Sequence, residues 1–128
     1  MTIKEAIDKV DNLNPNQYSE EQKVEWLSRL DYLIYHDIIL KHEYNPEEEE
    51  ITYEPYSVSN MTQKLIAPFP YDELYVAFLQ MKVDEANKET AQYNNSMTMY
   101  ASYYDNYVKN YNREHMPINK DRFWMWRH

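Results

Sequence analysis

Apolar positions recur along the chain at helical rather than strand spacing, and they mark out four segments. In the first, Ile3, Ala6, Ile7 and Val10 fall at i, i+3, i+4 and i+7, one stripe of a short helix. Thr2 and Glu5 precede that stripe with the spacing of a capping box, and Pro15 among asparagines ends it. The second segment is the clearest. Ser19 and Gln22 form another cap, Glu20 and Glu21 sit in the electropositive first turn, and Val24, Leu27, Leu30, Leu33 or Ile34, and Ile38 repeat every three to four residues. Trp26, Tyr32 and Tyr35 widen this face. The pattern predicts a helix over residues 20–42, closed by Asn45-Pro46.

Between 43 and 70 the periodicity is lost. Prolines stand at 46, 55, 68 and 70, and Glu47 to Glu50 form an acidic run that water must solvate. Ile51, Thr52 and Tyr53 have room for a short extended piece. The segment reads as a long irregular acidic loop that packs through Leu65, Ile66 and Phe69. Helical spacing resumes after Pro70, with Asp72 and Glu73 in the first turn and Leu74, Tyr75, Phe78, Leu79 and Val83 facing inward. A single helix over 71–113 would be roughly 64 Å long at 1.5 Å per residue, too long for a domain of this size. A turn near Asn87-Lys88 therefore divides it into an α-hairpin.

The last helix carries Tyr93, Met97, Tyr100, Tyr104, Tyr107 and Tyr111 in a heptad-like seam flanked by asparagines. Two readings stay open for this seam: core packed on the second helix, or an interface between subunits, where Tyr and Met are enriched. Pro117 ends the helical region. The expected fold is all-α: a small antiparallel helical bundle of about 20–42, 71–87 and 89–113, with the first helix as a cover. It divides into a helical domain over 1–117 and a C-terminal tail over 118–128.

Composition removes whole classes of chemistry. The chain has 128 residues with no Gly and no Cys, which excludes Gly-dependent nucleotide loops, nucleophile elbows, disulfides and thiolate sites. The histidines, His36, His42, His115 and His128, have no metal-ligand spacing and read as solvent-facing. Asp31 with Tyr35, and Asp84 with Lys88, read as surface i, i+4 pairs, and no acid stands out as enclosed by apolar residues. The expectation is a protein that is not an enzyme and needs no cofactor or metal. The start of the chain carries acidic residues and lacks the apolar run of a signal peptide, and no stretch nears the roughly 20 apolar residues of a membrane span.

Charge is uneven. The formal net charge is −9, yet residues 113–128 hold Arg113, Lys120, Arg122 and Arg127 against Glu114 and Asp121, a net of +2, which leaves −11 on the rest. Scattered cations on an acidic body do not make a groove that grips nucleic acid phosphates. Phe123, Trp124, Met125 and Trp126, bracketed by Arg122 and Arg127, make a basic aromatic tail. Such a tail either folds back on its own domain or docks into a partner, and Trp and Arg favour docking.

Three segments then stand out together. They are Asn14-Pro15-Asn16-Gln17-Tyr18-Ser19 leading into Trp26-Leu27 and Leu30-Asp31; Pro70-Tyr71-Asp72-Glu73-Leu74-Tyr75 followed by Ala86-Asn87 and Tyr93-Asn94-Asn95-Ser96-Met97; and Tyr111-Asn112-Arg113 with His115-Met116-Pro117 and Arg122-Phe123. This ordered set, which spans most of the chain outside 43–60, resembles small proteins encoded among the head-morphogenesis genes of tailed bacteriophages and prophages. It is similar to their head–tail connector, or head-completion, proteins. The sequence departs from that family at Lys88, where Gly is frequent, and in the Trp-rich tail. The resemblance implies an all-α virion structural protein, in the host cytoplasm during assembly. It implies a homo-oligomeric ring, often of twelve subunits, between the portal protein and the tail-completion protein, with DNA passing through without specific binding. It also implies a C-terminal segment reaching toward the portal. The alternative from another class is a small protein-binding adaptor or regulator encoded by a mobile element, acting as monomer or dimer.

Overall fold

The computed structural model describes residues 1–42, 47–48 and 50–115. Within them lie four α-helices: α1 (Ile3–Leu13), α2 (Glu20–Asp37), α3 (Glu73–Ala86) and α4 (Thr90–Glu114). The described residues contain no strand; one isolated antiparallel bridge joins Thr2 to Lys64. No helix among them is long and apolar enough to cross a membrane.

Each helix end follows from local chemistry. At α1 the Thr2 hydroxyl accepts from the Glu5 N–H at 3.2 Å while Glu5 accepts from the Thr2 N–H at 3.3 Å, the reciprocal capping box. Two further N–H groups of this first turn, on Ile3 and Lys4, donate to the Gln63 and Met61 carbonyls, so the loop before α3 closes over the start of α1. At α2 only the forward half of the cap forms, Ser19 Oγ accepting from the Gln22 N–H at 3.2 Å. The helix ends at Asp37, earlier than its apolar spacing predicts, and a 3-10 turn over Ile39–Lys41 carries the chain to His42.

The expected corner between α3 and α4 is present without Gly or Pro. Lys88 takes a left-handed φ of 59°; its N–H donates to the Glu85 carbonyl, and the Glu89 N–H donates to the Asp84 carbonyl. These are the two bonds of a Schellman motif, so α3 ends by satisfying its own last carbonyls. The two helices then run antiparallel. Asp84 meets Ser96, Phe78 meets Tyr100, and Tyr71, just before α3, meets Tyr107.

α3 is the central element, touching α1, α2 and α4. Leu74 to Leu79 are all buried, because a helix enclosed on every side has no polar face. Onto it pack Ile3, Ala6, Ile7 and Val10 of α1, Val24, Leu27, Leu30 and Ile34 of α2, and Tyr107 and Tyr111 of α4. Of the two candidates at 33 and 34, Ile34 is buried and Leu33 exposed. Leu65 is buried as expected and Ile66 half-buried, but Phe69 is 85% exposed: the chain turns at Pro68-Phe69-Pro70 with the ring directed to water.

Candidate functional site

Three polar constellations hold this frame together, and sequence reasoning missed their centres. The first surrounds Asp31. Expected as half of a surface pair with Tyr35, it is fully buried on the core face of α2. Its carboxylate accepts a hydrogen bond from the Tyr56 hydroxyl, one from the Tyr75 hydroxyl at 2.6 Å and one from the Ile66 N–H at 3.0 Å. Tyr75 in turn accepts from the Ala67 N–H at 2.7 Å. One turn earlier, Ser28 Oγ accepts from the Tyr56 N–H, and the Tyr53 hydroxyl donates to the Ser28 carbonyl at 2.9 Å. The loop after Glu50 is thus fastened to α2 through side chains where an extended piece around Ile51 was expected. Burial pushes the Asp31 carboxyl up to about 6 against the pull of its three donors, and burial with the nearby Asp31 charge pushes the Tyr75 hydroxyl above its usual range. A raised carboxyl can signal catalysis. Here every oxygen is taken by a structural donor, and none of the clefts described below is lined by Asp31, so its position is that of a clasp.

The second constellation is the α3–α4 corner. Asp84, expected to pair with Lys88 on the surface, is buried and accepts from Asn14 Nδ2 at 3.4 Å and Ser96 Oγ at 2.6 Å. The Tyr18 hydroxyl donates to the Asn87 side-chain oxygen at 2.7 Å. Asn16 and the buried Lys23 both reach Asp11, the lysine at 2.6 Å. A shallow cleft of about 270 Å³ opens beside this corner between Asp84 and Tyr93.

The third lies at the far end of α4. His42 was expected in solvent but is buried; its Nδ1 donates to the Ile38 carbonyl and its Nε2 meets the Asn112 amide group at 2.6 Å. Tyr111 presents its ring to the edge of His42 and stacks on His115, with centroids 3.9 Å apart and planes 9° from parallel. His115 Nε2 lies 2.8 Å from Glu48, which ties Glu48 to the end of α4. His36 is exposed, as expected; His128 lies outside the described residues.

The seam of α4 divides. Tyr107 and Tyr111 are buried in the chain's own core, Tyr93, Tyr100 and Tyr104 are half-buried, and Met97 is exposed. Tyr107 and Tyr111 thus belong to the chain's own core and Tyr93, Tyr100 and Tyr104 pack against it, while Met99 and Tyr103, which lie off the seam, leave an outward face open. The other proposed partner-binding residues, Arg122, Phe123, Trp124, Met125, Trp126 and Arg127, lie outside the described residues. Among the described residues no group of three His, Cys, Asp or Glu side chains is placed to hold a metal ion.

Comparison of the chain with protein-family models, with curated proteins and with solved structures finds no match.

Proposed function

We propose that the chain is a non-enzymatic head–tail connector of a tailed bacteriophage, a small antiparallel helical bundle that assembles as a ring between the portal protein and the tail-completion protein. The observation that carries this reading is where the three resembling segments fall. The first two meet at the α3–α4 corner, where Tyr18 donates to Asn87 and where Asn14 and Ser96 both reach Asp84, a residue outside the resembling segments. The third closes the opposite end of α4 through Tyr111, Asn112 and His115. The residues behind the resemblance are therefore those that brace α4, a helix of 25 residues and about 37 Å, at both ends. A braced helix with an open outward face suits lateral packing against a neighbouring subunit. The acidic composition suits a channel through which a duplex slides without being held.

The test is co-expression with the portal protein of a tailed bacteriophage that carries this chain, followed by affinity co-purification and electron cryo-microscopy. The expected result is a ring of this chain seated on the portal. Deleting residues 120–128 is expected to leave helicity and thermal stability nearly unchanged while abolishing co-purification. Failure of the full chain to associate with portal, alone or with the tail-completion protein, would overturn the reading. A truncated chain that still binds fully would move the interface to the open face of α4.

A further inference from the structure

The groove between α2, α3 and α4 is unrelated to the three constellations above. α2 supplies Trp26, Arg29, Leu30 and Leu33, at i, i+3, i+4 and i+7; α3 supplies Phe78 and Lys82; α4 supplies Tyr100. The cavity is about 240 Å³, below the roughly 300–1,000 Å³ of small-molecule sites and suited to one large side chain. Its floor is apolar, and among the described residues Leu33 is left 51% exposed there.

The rim is what selects an occupant. Its polar groups are the Arg29 guanidinium, the Lys82 ammonium and the Tyr100 hydroxyl, all able to donate, and no carboxylate lines the groove. The Tyr100 hydroxyl has no hydrogen-bond partner among the described residues, and Lys82 Nζ sits 5.7 Å over the Phe78 ring. Glu25 lies 2.7 Å from Arg29 and Glu85 lies 3.7 Å from Lys82, but both acids are more than half exposed. Such surface pairs are weak and exchange readily for an incoming carboxylate. On a chain of net charge −9, the polar groups that line this apolar slot are two cations and a hydroxyl, and the acids paired with the cations stand outside it.

We propose that this groove docks an acidic peptide segment of a partner protein, one large apolar side chain filling the slot and flanking carboxylates engaging Arg29, Lys82 and Tyr100. This goes beyond the connector reading and does not depend on it, because peptide binding and portal co-purification are separate readouts. The test is fluorescence anisotropy of the full chain with a fluorescein-labelled peptide bearing a central Trp flanked by Asp and Glu. Counter-probes are the same peptide with Lys flanks and a peptide of this chain's residues 118–128, apolar but basic. The expected result is saturable binding of the acidic probe alone, weakened about tenfold or more by Leu33→Asp and by Arg29→Glu with Lys82→Glu, and weakened by salt. Circular dichroism checks that these surface variants remain folded. Equal binding of a basic probe, affinity unchanged in Leu33→Asp, or no saturation up to millimolar peptide would overturn the proposal. Sedimentation showing self-association that Leu33→Asp abolishes would also overturn it, since a second copy would then occupy the groove.

Discussion

Replacing Asp31 by Asn tests whether the buried clasp carries the charge physics assigned to it. The carboxyl is fully enclosed, so little solvent screens the effect. Two influences oppose each other. Burial disfavours the ionised form; the Tyr56 and Tyr75 hydroxyls and the Ile66 N–H favour it, each such bond to a charge being worth about 1.5–3 kcal/mol. Burial wins, and the carboxyl rises from 3.8 to about 6. Because the folded chain holds this proton more tightly than the unfolded chain, the stabilisation is complete below about pH 3.8 and is lost as pH rises through about 6. At 1.36 kcal/mol per pH unit, that loss is about 3 kcal/mol between pH 3 and pH 7. Urea unfolding of wild type and Asp31→Asn across that range, taken as a difference, cancels the other carboxylates. The difference, wild type minus variant, is expected to fall by about 3 kcal/mol as pH rises. A flat difference would mean that the carboxyl is unperturbed. A difference that grows with pH would mean that the three donors dominate burial, and the reasoning would be refuted.

Two further outcomes are expected. Lys88→Gly relieves a left-handed side chain at a cost in chain entropy, so it should raise stability by about 0.5–1 kcal/mol and the melting temperature by a few degrees; an unchanged or lower melting temperature would contradict the strain assigned to φ 59°. Tyr75→Phe takes the acceptor from the Ala67 N–H and a donor from Asp31, so urea titration should show a loss of about 1–3 kcal/mol, and the Asp31-linked fall in stability should move to higher pH.

The elements were legible because their signals are local. The Thr2–Glu5 box, the stripe from Ile3 to Val10 and the spacing of Val24 to Ile34 each need only neighbouring residues, and each formed as read, except that α2 yields to a 3-10 turn after Asp37. The corner at Lys88 was legible from length alone, since one helix would overrun the domain. The clasp was not read, although its signal is present: Leu27, Asp31 and Ile34 fall at i, i+4 and i+7, placing a carboxylate inside the apolar stripe. What the sequence could not name were its partners, Tyr56 and Tyr75, which lie 25 and 44 residues away. His42 repeats the lesson: in the helix expected over 20–42 it falls four residues after Ile38, and after the 3-10 turn it is buried with its ring bonded to the Ile38 carbonyl. Phe69 fails in the opposite sense. A lone aromatic between two prolines has no period to place it, and it faces water.

The donors that meet at Asp31 come from the loop and from α3, at sequence separations of 25, 35 and 44 residues. No short fragment of the chain can assemble that shell. During folding, a docked α2 whose loop is still open would enclose a carboxylate with too few donors, and such a state is penalised whichever way the proton goes. The carboxylate therefore acts as a checkpoint on folding order: it sets half-assembled states apart from the native one in energy and couples α2, the loop and α3 into a single all-or-none event.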